Sequence, residues 1–130
     1  MRNFRQYDIY VKAINFSNTI YRLCNVFPKE ERFALTDQLL RATVSIPSNI
    51  AEGSSRESEM DFCHFLEIAL GSAFEVETQL TIARNQNYLT QDHYNKVLDE
   101  LLQLQLGIGL FVKNIRKTSP KTRKNITLQQ

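Results

Sequence analysis

The chain has 130 residues, 42% of them apolar and 23% charged, with a formal net charge of +2. A chain of this size hides about two-thirds of the surface its unfolded form exposes, so it can bury a core without staples. Two cysteines, Cys24 and Cys63, exclude the framework of a small secreted domain, and no apolar run approaches the ~20 residues that span a bilayer.

The opening residues Met1 to Gln6 are charged and lack an apolar stretch before a cleavage site, so a cytoplasmic protein is expected. From about Tyr7 to Val26, Ile9, Ala13, Phe16, Ile20, Leu23 and Phe27 recur at alternating spacings of four and three. That is the period of one helix face. Tyr10, Ile14 and Tyr21 widen the stripe enough to touch two neighbours. Phe27-Pro28 ends the segment, because the residue before proline is pushed out of the helical region.

A second helix is expected from Pro28 to about Glu52, with Glu30 and Glu31 at its positive start. Leu35, Leu39, Ala42, Ile46 and Asn49 carry its stripe. Pro47 falls inside the stripe and is expected to kink or break the helix there, with Gly53 terminating it. The third helix opens on Ser58 with an acid at Asp61, close to a capping box. Phe62, Leu66, Ala69, Ala73, Val76, Leu80 and Ala83 form the cleanest heptad of the chain. Gly71, Ser72 and Ala73 suggest close approach of another backbone, and Asn85 to Asn87 make the break.

The fourth helix starts at Thr90 as N-cap and carries Val97, Leu101, Leu104, Ile108, Phe111 and Ile115. Gly107 and Gly109 each cost about 1 kcal/mol against alanine, and close packing is their expected role. Ser119-Pro120 stops the helix. Four such helices with short connections predict an all-α, antiparallel up-down-up-down four-helix bundle over residues 1–117, followed by a basic tail at 118–130 whose polar composition predicts disorder.

The stretch from Leu39 to Gly53, Leu-Leu-Arg-Ala-Thr-Val-Ser-Ile-Pro-Ser-Asn-Ile-Ala-Glu-Gly, together with Arg56, resembles a known signature. The pattern of Phe62, Phe65, Leu66, Ile68, Ala69, Gly71, Ser72, Ala73, Glu75, Glu77 and Thr78 resembles the same one, with Phe27-Pro28, Glu30 and Tyr88-Leu89 in support. Both resemble the bacterial four-helix-bundle family of proteins encoded in 23S rRNA intervening sequences, also labelled the S23 ribosomal protein family. The resemblance covers about residues 7 to 115. It implies a bundle that assembles into rings of five, with no established activity. It also implies kinship with the accessory proteins of diversity-generating retroelements, which are basic pentamers that bind nucleic acid and partner a reverse transcriptase.

Two surfaces are candidate sites. Arg41, Ser45, Asn49 and Glu52 share one face of the second helix, with Arg56 after its turn, and Glu67 and Glu75 share one on the third. Two readings of these seven residues stand: a polar groove for RNA, a peptide or another subunit, or ion pairs and hydrogen bonds that hold the helices together. The second surface is basic. From residue 101 onward there are six basic residues and no acidic ones, against 10 basic and 14 acidic before it. Lys113, Arg116, Lys117, Lys121, Arg123 and Lys124 are candidate phosphate contacts for RNA or DNA, their other reading being complementation of the helix dipole and a solvated tail.

No catalytic residue, cofactor or metal is expected. His64 and Glu67 are three apart, but a di-iron bundle needs carboxylates from all four helices and two Glu-x-x-His motifs. Cys63 and His64 are adjacent and point in different directions, and no phosphate loop or dinucleotide fingerprint occurs. The reading is a non-catalytic, homo-oligomeric bundle associated with nucleic acid. Its alternative is a structural or adaptor module that meets a protein partner through the polar face.

Overall fold

Four helices carry the chain: α1 (Asp8–Leu23), α2 (Leu35–Ser54), α3 (Glu59–Asn85) and α4 (Gln91–Thr118). The computed structural model describes residues 2–118, so Lys121, Arg123, Lys124 and the expected tail lie outside the described residues. Among the described residues there is no strand; three-residue 3-10 turns occupy Phe4–Gln6, Cys24–Val26 and Lys29–Glu31.

The helices pack in a ring, α1 on α2, α2 on α3, α3 on α4 and α4 on α1. Contacts along each seam run in opposite order on the two helices, which sets neighbours antiparallel. Ser45 meets Ser72 while Gly53 lies against Phe65. Tyr94 meets Thr81, Gln105 meets Glu77 and Arg116 meets Glu67. Thr19 meets Glu100 while the Tyr7 ring lies 4.9 Å from that of Phe111.

The heptads become the core. All seven stripe residues of α3 are buried, as are Ile9, Ala13, Phe16, Ile20 and Leu23 of α1. On α4 Val97, Leu101, Leu104 and Ile108 are buried, and Val112 joins them. On α2 the stripe departs from expectation at its end: Asn49 sits half-buried at the margin, and Ile50 is the fully buried residue. Spacings of three and four from Ile46 fit both positions, and the apolar side chain takes the dry one.

The second helix departs from expectation at its start. The second helix begins at Leu35, not Pro28, because Pro28 starts a 3-10 turn and Ala34 then adopts φ −122°, ψ −105°. The turn has a use: Glu31 accepts from the Leu35 backbone N–H at 3.2 Å and from the Tyr88 hydroxyl at 3.0 Å. One carboxylate thus caps α2 and ties the α1–α2 connection to the α3–α4 connection. Pro47 does not break α2, which stays helical on both sides of it. Pro47 removes only the donor to the Thr43 carbonyl, and the flanking Ile46 and Ile50 are fully buried. The helix ends at Ser54 with Ser55 as its cap, where the Gly53-Ser54-Ser55 run places its end, and Gly53 has a second use. It is buried within α2, where a Cβ would lie 2.6 Å from the Phe65 Cβ.

The other glycines divide. A Cβ at Gly107 would meet Ile9 Cγ2 at 3.2 Å, whereas at Gly71 and Gly109 nothing lies within 4 Å. Close packing inside the chain therefore accounts for Gly53 and Gly107, not for Gly71 or Gly109. The breaks at α3 follow sequence chemistry. Ser58 Oγ accepts from the Asp61 N–H at 3.0 Å at the start. At the end Asn87 takes a left-handed φ of 62°, which asparagine tolerates, and the Tyr88 N–H reaches back to the Ala83 carbonyl at 2.9 Å. Replacing Ser58 by alanine is expected to lower stability by about 1 kcal/mol, read by urea denaturation, because it removes an acceptor for an end-of-helix donor.

Candidate nucleic-acid and partner interfaces

The seven residues of the expected polar groove do not stay together. Ser45 Oγ and Ser72 Oγ lie 2.9 Å apart across the α2–α3 seam, and Asn49 Nδ2 donates to the carbonyl and hydroxyl of Ser45 at 2.8 Å. These three form a small bridge between the helices. Arg41 instead pairs with Asp37 one turn back at 3.0 Å, and Arg56 pairs with Glu52 at 3.6 Å while covering the Phe65 ring at 4.7 Å. Glu75 accepts a weak 3.4 Å bond from Gln79 on its own helix. Glu67 leaves the groove altogether and pairs with Arg116 of α4. Glu67 and Glu75 are eight residues apart, so on a 3.6-residue helix their directions diverge by about 80°. That angle sends Glu67 to the α4 side.

The basic surface is also modified. Lys113 and Lys117 are exposed on the last turns of α4, but Arg116 is engaged with Glu67. At the same end Arg2 donates to the Ser54 and Arg56 carbonyls and lies 4.7 Å from the Phe62 ring centre. The described residues contain 13 basic and 14 acidic side chains, so the positive balance of the chain resides in residues 119–130.

A feature not singled out from the sequence is the pattern of exposed apolar side chains. Phe74 (53% exposed) on α3 stands on the side of Leu102, Leu106 (65%) and Leu110 of α4. Phe74 lies one turn before Glu77, and Leu102 one turn before Gln105; Glu77 and Gln105 touch across the seam, so both leucine and phenylalanine rows border the α3–α4 groove. Gly109, one turn after Gln105 and open to space, borders it too. A second apolar face runs along α1 and α2. Tyr10, Ile14 and Tyr21 lie on the side of α1 away from Thr19, which reaches α4. Leu40, Val44 and Ala51 lie on the side of α2 away from Ser45, which reaches α3. Tyr21, Ile14 and Val44 are exposed, Tyr10, Leu40 and Ala51 half-buried. The α1–α2 and α3–α4 seams are therefore each bordered by an exposed apolar row, while Val11, Ile68 and Ile82 are exposed outside those rows. Tyr10, Ile14 and Tyr21 are readable as widening one stripe; what makes the rows a separate surface is the closed four-helix core, which leaves them exposed among the described residues.

The thiols are poor nucleophiles. Burial pushes the Cys24 thiol up to about 11, and burial raises Cys63 against the opposing pull of Arg116. Among the described residues no three His, Cys, Asp or Glu side chains gather where they would hold a metal, and no helix is long and apolar enough to cross a membrane.

Residues 5–109 match the family model described as 23S rRNA-intervening sequence protein. The chain belongs to that family. A crystal structure of a protein of unknown function from the S23 ribosomal protein family of Bacteroides thetaiotaomicron is similar in fold, with a TM-score of 0.75 and 27% identity over 81% of this chain and 95% of that one. No curated protein matches. The family match takes in α1, α2 and α3 whole and α4 as far as position 109.

Tyr88 offers a check on the Glu31 tie. Its hydroxyl is held above the usual tyrosine range, first by the hydrogen bond to Glu31 and then by burial and the negative charge of Glu31 and Glu30. A folded-state value raised above the unfolded one means the contribution is complete below about pH 10 and is lost as pH rises through the alkaline range. Tyr88→Phe is expected to flatten the fall in stability above pH 10, measured by urea titration at several pH values.

Proposed function

We propose that this protein is a non-catalytic scaffold of the cytoplasm that assembles laterally, as a ring of five, and associates with nucleic acid through the C-terminal end of α4 and the residues beyond it. The observation that carries the reading is the pair of exposed apolar rows bordering the α1–α2 and α3–α4 seams. Monomeric proteins rarely leave two contiguous apolar rows in water. Opposite faces that pack one on the next copy make a head-to-tail contact, and such contacts close into rings when the rotation permits.

The nucleic-acid part rests on Lys113 and Lys117, on the six basic residues after position 100, and on the family's association with an rRNA intervening sequence. Five copies would bring 30 such positive charges, six from each, to one assembly. With no aromatic residue after Phe111, the contact is to the phosphate backbone and weakly sequence-specific. The same chemistry makes it salt-sensitive.

Light scattering tests assembly: five chains of 15.1 kDa give about 75 kDa, and a mass of one chain overturns the ring. Gel shift with structured RNA and duplex DNA across a salt series tests binding. Retention is expected at low salt, with loss on Lys113→Ala, Arg116→Ala and Lys117→Ala together. Binding that ignores both salt and the triple variant would remove this function.

A further inference from the structure

A carboxylate interrupts the apolar row beside the α3–α4 seam. Of the 14 acidic side chains, Glu31, Asp37, Glu77 and Glu100 alone are half-buried. Glu31 takes two donors and Asp37 an ion pair, and Glu100 accepts from Thr19 across the α4–α1 seam. Glu77 has one donor, the Gln105 amide at 3.0 Å, and no cation within ion-pair distance among the described residues. A neighbour seated on the row would strip water from the remaining lone pairs of Glu77, and a carboxylate so covered needs a further donor.

Gly109 marks the same spot from α4. It lies one turn after Gln105 inside the helix, where glycine is a poor helix former. A Cβ there would meet nothing within 4 Å, so no contact among the described residues calls for a bare backbone. Space for one side chain is thus left on α4 beside Glu77. The opposite row holds a donor at the same height. Ile9 lies against Gly107, and Gln105 against Glu77, so Tyr10, next to Ile9, stands within about 5 Å of Glu77 along the bundle at ~1.5 Å per residue. Thr19 meets Glu100, which puts Tyr21 about 10 Å from Glu77 along the same axis. The Phe4 ring meets that of Tyr10 edge-on with centres 4.9 Å apart, and no hydrogen bond reaches the Tyr10 hydroxyl among the described residues.

We propose that between copies the Tyr10 hydroxyl of one chain donates to the Glu77 carboxylate of the next, its ring lying over Gly109, and that this bond sets the register of the two apolar rows. The contact presupposes the lateral ring and lies inside it. Rotation about a ring axis leaves height along that axis unchanged, so in a ring whose axis follows the bundle the residues that meet stand level. Tyr10 meets that condition and Tyr21 does not. Arg41, the cation beside the α1–α2 row, already pairs with Asp37 at 3.0 Å. A hydroxyl on a carboxylate is a charge-assisted bond. A single polar pair within an apolar contact fixes register, since any slip covers Glu77 without a donor.

Light scattering over a dilution series reads the concentration at which the full-length assembly comes apart. Tyr10→Phe is expected to raise that concentration about tenfold or more, as one charge-assisted bond per contact is lost. Glu77→Ala is expected to do the same, and the double variant no more than either alone, with helicity unchanged by circular dichroism. Non-additivity of this kind marks a shared bond, since a Tyr10 that only packed on Phe4 would add its loss to that of Glu77. Gly109→Leu is expected to raise the midpoint about tenfold or more by filling the place of the ring, and Tyr21→Phe to leave it unchanged. The contact is overturned, with the ring intact, by additive losses from Tyr10→Phe and Glu77→Ala, by no change on Tyr10→Phe or Gly109→Leu, by an equal effect of Tyr21→Phe, or by disappearance of the Glu77→Ala effect in an Arg41→Ala background. A parent chain that scatters as 15.1 kDa at every concentration would overturn the ring and the contact together.

Discussion

Gly53→Ala is expected to destabilise the fold by about 2 kcal/mol, although alanine is the better helix former. Two effects oppose each other. The substitution gains at most about 1 kcal/mol from propensity, since Gly53 is the last residue but one of α2. At this position the added Cβ would meet the Phe65 Cβ at 2.6 Å and Phe62 Cδ1 at 3.2 Å. The first contact is with an atom fixed to the α3 backbone, so no side-chain rotation relieves it and the two helices must separate. Overpacking of that kind costs about 3 kcal/mol, and the clash wins. For a domain of this size the net corresponds to a fall of about 8 °C in Tm. Thermal and urea unfolding of the variant at fixed protein concentration check it. An unchanged or raised Tm would show that α2 and α3 do not meet at Gly53. The position sits inside the motif Ile-Ala-Glu-Gly, so its role is helix contact within the bundle.

The heptads explain why the fold was legible. Buried apolar side chains at spacings of three and four admit one arrangement of long helices, and Ser58, Thr90 and Asn87 mark ends by hydrogen-bond chemistry that local sequence expresses. Legibility failed where a residue has two competing uses. Gly53 reads only as a terminator, which α2 bears out by ending at Ser54, but its second use, admitting a neighbour, depends on what stands opposite, and Phe65 is twelve residues away. Pro28 reads as a first-turn residue, yet Glu31 can cap Leu35 only if the chain first makes a tighter turn. The candidate site was the least legible part. Shared helix faces grouped Glu52, Glu67 and Glu75, but angle accumulates along α3, and the Arg116 partner of Glu67 comes from a helix 49 residues on. The apolar rows on α3 and α4 were visible as residues and invisible as a surface, because exposure exists only once the core has closed.

Those rows set the second large effect. Leu106→Glu and Ile14→Glu, made separately, are each expected to yield a particle of 15.1 kDa where the parent assembles. Leu106 lies in the α3–α4 row and Ile14 in the α1–α2 row; both are exposed in the single chain, so neither substitution disturbs the core. Covering a leucine contributes about 2 kcal/mol, and a carboxylate buried without a partner costs several more. Together these weaken one contact by a thousandfold or more, on the order of 4 kcal/mol. The informative step is to mix the two variants. If the α1–α2 face of one copy seats on the α3–α4 face of the next, each variant keeps one sound face. The mixture then forms a one-to-one pair of about 30 kDa that cannot extend, since both remaining faces are spoiled. If each face instead pairs with its own kind, Ile14→Glu alone dimerises through its sound α3–α4 face and mixing adds nothing. A 30 kDa species that appears only on mixing therefore supports the head-to-tail contact a ring requires, and dimers of either variant alone would replace it with a two-fold arrangement.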